Sequence, residues 1–269
     1  MAENTGATTA QSQIISNPTV DVLLNRRSIR KFKNEPIDDA TVATLETVAQ
    51  HAASSQYLND WSAIRVEDQA LKDRIATIGR QAYIAEAPLL YVFVLDEQRN
   101  ARIAARKGVD PDSDEFTLSS GYRFTQAQND AVLALHAMET AAYSLGLGCV
   151  ILGSLLNDIP ELIELCHLPK YTYPVLGLAI GKPDQEPALK PRMPRTMQFF
   201  ENVYPAADEA ASLDGLEEFD ETVHQYYNLR NTDRPVDAFS DQIAKVSTQD
   251  VNDKSLLDKA AAQGFHLEK

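Results

Sequence analysis

The chain has 269 residues, 44% of them hydrophobic, and sets 39 acidic side chains against 25 basic ones for a formal charge of −14. That length can bury a sizeable core, while the charge balance argues against the broad basic face of general nucleic-acid binders and against docking on anionic membranes. The longest apolar runs, at 87–95 and 149–156, are too short to span a bilayer.

In chain order, residues 1–16 are polar, small and aperiodic, and a flexible N-terminal tail is expected there. No cationic start followed by an apolar stretch marks a secretory signal. Asn17-Pro18 opens a short helix with Val20, Leu23 and Leu24 on its apolar side. It runs into N-R-R-S-I-R-K-F at 25–32, where Arg26, Arg27, Arg30 and Lys31 gather in an otherwise acidic chain. Cations suit a helix C-terminus, which accounts for part of the cluster; a bound anion would account for more. Lys31 is left to solvent. Asp38-Asp39 cap a helix through about Ala53, with Val42, Leu45 and Ala49 on one face.

The loop A-S-S-Q-Y-L follows, then a strand over 63–66 and a helix over 69–78. After Pro88, LLYVFVL is an uninterrupted β-branched and aromatic run that fits a central strand. Residues 98–124 are charged and irregular, an excursion with room for a helix. The strongest helix begins near Thr125, with a capping box through Gln128. Ala131, Leu135, Met138, Ala142 and Leu145 form its core or subunit-contact stripe, and Gly146 ends it. Strands at 149–152 and 174–181 flank a helix from Asn157-Asp158 to about Leu165. Positions 201–221 hold eight acidic residues and no Lys or Arg. The expected organisation is a tail over 1–16, a core over 17–204, and an extension over 205–269 that wraps the core or a partner subunit. Four or five strands without regular βαβ alternation imply an α+β fold.

The chemistry-bearing patterns are few. Histidines at 51, 136, 167, 224 and 266 form no HxH or HExxH spacing, and Cys149 and Cys166 form no CxxC, so no metal site and no disulfide framework are expected. Cytoplasmic residence is the default that follows. G-L-G-C-V-I-L-G at 146–153 fails as a dinucleotide fingerprint, because Ile151 stands where a third glycine is needed and the glycines lead from helix to strand. A helix cap and a tight turn explain Gly146 and Gly148. They leave Gly153-Ser154 unexplained, a strand end whose N–H groups could meet a planar ligand. A second basic patch, L-K-P-R-M-P-R at 189–195, is either a solvated loop or, with the first, one of two grips on a phosphorylated ligand.

R-R-S-I-R-K-F, the A-S-S-Q-Y-L loop, S-L-G-L-G-C-V-I-L-G-S-L-L-N-D and G-L-A-I-G-K-P-D-Q-E-P-A-L-K-P-R-M-P follow one another in the order found in FMN-dependent nitroreductases. Over roughly residues 17–245 the chain resembles the oxygen-insensitive NADPH nitroreductase and flavin reductase branch of that family. The resemblance implies a mostly antiparallel sheet flanked by helices, an interlocked homodimer, and one FMN in each of two interface sites. By position, Arg26, Arg27, Ser28 and Arg30 would hold the ribityl phosphate and flavin edge, with Arg30 tuning the flavin. Lys190 and Arg192 would close on the phosphate. Ser54, Ser55 and Gln56 would come from the partner subunit. Gln81 would touch the flavin or ribityl chain, and Ile151, Leu152, Gly153 and Ser154 would line one flavin face. Arg230 and Arg234 would hold the extra phosphate of NADPH. The implied activity is two-electron ping-pong reduction of nitroaromatics, quinones or other flat acceptors; a flavin reductase or a non-catalytic FMN-binding protein are the alternatives. Four departures stand out: Arg26 replaces a frequent His, Ser154 a usual Gly, and Leu156 an Arg of the well-known enterobacterial relative, and the 98–124 excursion is longer and more charged than the resemblance implies.

Overall fold

The computed structural model describes residues 14–205, 213–230, 238–249 and 255–269, the side chains of 228–230 excepted. Asn17 caps α1 (Pro18–Leu24) by accepting from the N–H groups of Thr19 and Val20, with Pro18 pre-set for the first turn. No residue of α1 is buried. Its expected apolar side therefore faces outward, with Leu23 43% and Leu24 53% exposed. Asp38 caps α2 (Asp39–Gln50). Then come β1 (Trp61–Arg65), α3 (Gln69–Gly79), α4 (Tyr83–Glu86) and β2 (Leu89–Asp96), with β1 starting two residues before the sequence signal. The charged excursion does carry a helix, α5 (Glu97–Ala105), capped by Asp96.

The long helix α6 (Gly121–Ser144) starts four residues earlier than the T-Q-A-Q box suggests. Ser120 is its cap, and the Thr125 hydroxyl turns back to the Gly121 carbonyl inside the helix. Gly121 is a weak helix former by local propensity, and a distant contact sets the start instead. The Gly121 N–H donates to the Lys269 carbonyl, and a Cβ at 121 would lie 2.4 Å from the Leu267 oxygen. Ala131, Leu135, Met138 and Ala142 are fully buried, but Leu145 is 49% exposed, because it is the residue on which the helix ends. Then follow β3 (Gly148–Leu152), a 3-10 stretch over Gly153–Asp158, α7 (Ile159–Leu165) and β4 (Thr172–Gly181).

The four strands form one antiparallel sheet in the order β1-β2-β4-β3. On β2, alternation sends Tyr91 and Phe93 to one face, where they meet Leu45 of α2 and Leu135 and Met138 of α6. Leu90, Val92 and Val94 go to the other, against Ile75, Ile84 and Leu162. Burial on both faces is why this strand reads as an unbroken apolar run. A third cluster gathers Phe124, Tyr171, Tyr173 and Phe265, edge-on aromatic pairs that tie the last residues of the chain to α6 and β4.

Two compact units emerge, one ending at Glu186 and resuming at Lys259–Lys269, the other Pro187–Asp258. The second contains α8 (Leu216–Arg230) and α9 (Phe239–Thr248), joined by an edge-on Phe219–Phe239 contact and by Ser240, which donates from its N–H and hydroxyl to Asp220. A last helix, α10 (Leu256–Ala262), leads to the C-terminal residues. Among the described residues no helix is long and apolar enough to cross a membrane, and no cluster of three metal-binding side chains forms.

Candidate functional site

The arginine-rich segment continues the sheet as a short edge. Ser28 forms a parallel bridge with Cys149, the Ile29 N–H donates to the Cys149 carbonyl at 2.9 Å, and the Lys33 N–H donates to the Lys182 carbonyl at 2.9 Å. Two glycines make room for it. Gly148 and Gly181 are register partners on β3 and β4. A Cβ on Gly148 would lie 2.7 Å from Ile29, and one on Gly181 2.9 Å from Phe32. The segment's apolar side chains thus lie where the sheet has no side chains of its own, leaving Arg30 and Lys31 exposed between them.

The cations of this segment differ in their commitments. Arg26 donates from Nε to Glu139 of α6 at 3.1 Å, and Glu139 is 1% exposed, so one guanidinium edge balances a buried carboxylate. Among the described residues the Arg27 guanidinium pairs only with the exposed Glu186, at 3.3 Å, a pairing that a stronger anion displaces at little cost. Arg30 has no ion pair or side-chain hydrogen bond among the described residues. Lys31 is not free: its ammonium lies 2.8 Å from Asp184, which raises its pKa and lowers that of Asp184 through their hydrogen bond. The Tyr143 hydroxyl donates to the carbonyls of Arg27 (2.7 Å) and Cys149 (3.1 Å) and so pins the segment to α6. Burial pushes the Cys149 thiol far up, and it stays protonated.

From Cys149 the edge leads to the other predicted residues. Ile151 and Leu152 pair with Leu178 and Gly177 of β4, and β3 ends where Gly153 turns into the 3-10 stretch. The Ser154 hydroxyl donates to Gln81 Oε1 at 3.3 Å, and Gln81 also accepts from the Tyr83 hydroxyl. Arg26–Arg30, Ile151–Ser154 and Gln81 are therefore linked in one continuous group.

The Ser54–Gln56 loop is built elsewhere. Ser55 donates from its N–H to both carboxylate oxygens of Asp130 on α6, at 3.0 and 3.1 Å. Gln56 accepts from Arg123, and the Ser54 hydroxyl accepts from the Asn59 N–H. Gln56, Tyr57 and Asn59 have φ of 52°, 59° and 50°, a left-handed conformation that costs residues with a Cβ roughly 1 kcal/mol or more apiece. Among the described residues no hydrogen bond or ion pair joins this loop to the arginine segment or to Ser154. Both are anchored on α6, nine positions apart at Asp130 and Glu139, which is roughly 13.5 Å of helix.

In the second unit, the Lys190 ammonium lies over the Tyr227 ring, 5.5 Å from its centre, while Arg192 turns back to the Lys190 carbonyl at 2.8 Å. Arg230 is the last residue of α8, and Arg234 lies outside the described residues.

Residues 23–182 match the nitroreductase family, and residues 190–268 match the nitroreductase family, C-terminal domain. The chain belongs to the nitroreductase family. An NADPH-dependent oxidoreductase of Staphylococcus saprophyticus is 33% identical over 232 residues, 86% of this chain and 91% of its own length. Among solved structures, the NADPH:FMN oxidoreductase of Vibrio harveyi, complexed with NAD+, superposes with a TM-score of 0.80 at 29% identity, over 93% of this chain and 99% of that one. Nitroreductase A of Vibrio parahaemolyticus gives 0.81 at 29% identity, over the same shares. The nitroreductase fold expected from the motifs is the fold observed.

For a nitroreductase chain, the residues that the sequence did not single out are the supports: Asp130, Glu139, Tyr143, Ile29 and Gly181. Asp130 and Glu139 did leave a signal. Each is a charged residue directly beside a position of the apolar stripe, Ala131 or Met138, on the side of α6 that packs.

Proposed function

We propose that this chain is an FMN-dependent NADPH oxidoreductase that reduces nitroaromatics, quinones or related flat acceptors in two-electron, ping-pong turnovers. The observation that carries the reading is the arginine edge, held against β3 by Ser28, Ile29 and the Tyr143 hydroxyl, with Arg30 unpaired among the described residues. Three guanidiniums in five residues, one unpaired and one held only by an exposed glutamate, suit the phosphate of FMN.

In this reading Arg26, Arg27, Ser28 and Arg30 hold the phosphate and flavin edge, with Lys190 and Arg192 as the second grip. Arg30 places a fixed positive charge where negative charge develops on reduction. Ile151, Leu152, Gly153 and Ser154 form the wall against which the ring system lies, and Gln81 orients Ser154. Bound there, FMN supplies the redox chemistry, and the chain supplies grip, orientation and electrostatics. No side-chain nucleophile is required.

The site is completed by a second copy, whose equivalent of the Ser54–Gln56 loop reaches the flavin. Support for a homodimer comes from apolar side chains left open in each unit: Phe199, Val203 and Tyr204 of the second are 68%, 75% and 78% exposed, and in the first the leucines of α1 are half-exposed. A cytoplasmic setting agrees with two cysteines that are both free. The name of the Vibrio harveyi relative favours one second reading, reduction of free flavin as the main activity.

The test is anaerobic addition of NADPH to the FMN-reconstituted protein, followed at the flavin absorbance band, with acceptors then added in turn. Bleaching and fast reoxidation by nitroaromatics or quinones support the proposal. Reoxidation by free FMN alone favours the second reading, and a band that NADPH leaves unchanged rejects both. Replacing Arg230 and Arg234 with Ala is expected to raise the KM for NADPH about tenfold or more, as both contacts to the extra phosphate are lost, while NADH turnover holds. An equal loss with both nucleotides removes these two residues from the phosphate site.

A further inference from the structure

Beneath the Ser54–Asn59 loop lies a group of buried carboxyls that the redox reading does not use. Asp60 is fully buried and, among the described residues, neither of its oxygens has a hydrogen-bond donor; Glu97 is equally buried, with Oε1 in the same state. Asp130 is 2% exposed and takes the Ser55 N–H on both oxygens. Above them the loop bends through three left-handed non-glycine residues. Such a conformation persists only where surrounding contacts enforce it. Asp130 is the buried one of those contacts. The others are less buried: Arg99 to the Asn59 carbonyl and Arg123 to Gln56 are exposed, and Asn100 to the Leu58 carbonyl is half-buried.

We propose that Asp130 is a positioning residue for the flavin site, holding the Ser54–Asn59 loop in its strained shape through the Ser55 N–H, with the buried Asp60 carboxyl close by. The proposal rests on the FMN reading above. It gives Asp130 a role through the loop, without contact to the cofactor. Two carboxyls side by side and out of water do not both ionise. Burial, then Asp130 and Glu97, push Asp60 up to about 8, so near neutral pH it keeps its proton and can donate it to Asp130. Ionisation above that point sets two negative charges together under the Ser55 N–H, and the loop loosens. The other charged groups about the pair are Glu97 and Arg99 of α5, Asp96 at the end of β2 and Arg123 of α6. Burial also pushes Glu97 up, to about 7, so its titration precedes that of Asp60.

The experiment uses the full chain, with and without FMN, in wild type and in Asp130→Ala, Asp130→Asn and Asp60→Asn. Amide hydrogen exchange over 55–59 in the FMN-free protein reads the loop directly, and flavin fluorescence quenching gives the FMN dissociation constant. Asp130→Ala is expected to speed loop exchange and weaken FMN binding at least tenfold at pH 7, while Asp130→Asn, which keeps an acceptor, recovers most of both. In wild type, loop exchange beyond the intrinsic pH dependence rises and FMN affinity falls between pH 7 and 9. In Asp60→Asn, which keeps a neutral donor, both stay flat. Unchanged exchange in Asp130→Ala overturns the proposal, as does a wild-type pH profile in Asp60→Asn; the latter comparison decides alone if Asp130→Ala does not fold. Loop exchange that responds as expected in a protein that binds no FMN sustains the positioning role and sinks the flavin reading instead.

Discussion

In β2 every side chain from Leu89 to Leu95 is buried, whereas among the described residues of Pro187–Asp258 only Phe219 and Val223 are. The first unit is held by apolar contacts between residues far apart in sequence. The second is held by two edge-on phenylalanines, Asp220 bonds to Ser240, and the Tyr226 hydroxyl bond to the Ala188 carbonyl. The difference bears on how each presents a cation. Arg26 and Arg27 sit on a segment fixed by backbone bonds to β3 and by a buried glutamate, so their geometry is set before any ligand arrives. Lys190 and Arg192 lie on an extended, proline-punctuated stretch and rest on a ring and on their own backbone.

The sharpest way to break this contrast is to cut each unit at its most buried ring. Phe93→Ala is expected to cost about 3–5 kcal/mol, from lost burial plus a cavity, and to lower the urea midpoint read from Trp61, the one tryptophan of the chain. Phe219→Ala should cost about 2 kcal/mol or less and leave that midpoint in place. Equal shifts at Trp61 would mean that the two units unfold as one. Next in size, Gly148→Val pushes a side chain into the place of Ile29. An FMN dissociation constant raised tenfold or more is expected, with the far-ultraviolet circular dichroism retained; unchanged binding would show that the arginine edge does not depend on this close approach.

A smaller effect separates the units by pH. Asp60 and Glu97 hold protons in the folded first unit at pH values where the unfolded chain has released them. Their contribution to stability is therefore full below about pH 4, is lost as the pH rises toward 8, and levels off once both are ionised in either state. Thermal unfolding at Trp61 should drop by a few degrees between pH 5 and 8, and Asp60→Asn should flatten that slope. A slope unchanged in Asp60→Asn would place the proton elsewhere. The smallest effect belongs to Lys31→Ala, whose exposed pair with Asp184 contributes little. Neither Tm nor FMN affinity should move, and a clear loss of affinity would add Lys31 to the grip.

The contrast also explains what could be read from the sequence. LLYVFVL announced a strand buried on both sides, and the spacing along 131–142 announced the packed face of α6, because burial writes itself as periodicity. The motif resemblance pointed to the arginine edge, the 54–56 loop and the 151–154 strand end as candidate site residues. It did not reveal what holds them. The start of α6 is set by residues 267–269, and Gly121 carries no local sign of that contact. Gly148 was legible as a turn glycine, but its close approach to Ile29 depends on a segment over a hundred residues earlier. Carboxyls beside an apolar stripe, as at Asp130 and Glu139, were the one visible trace of the supports.

The shared dependence on α6 gives that helix the character of a ruler. Asp130 fixes one element and Glu139 the other, on a single rigid rod, so separation and relative bearing are set by the residues between them. One inserted residue would swing one anchor about 100° around the axis. Seven would nearly restore the bearing but lengthen the gap by roughly 10.5 Å. The nine-residue interval thus works as a reading frame, in which substitutions are tolerated wherever packing allows and any change of length disconnects two elements that lie far apart along the chain.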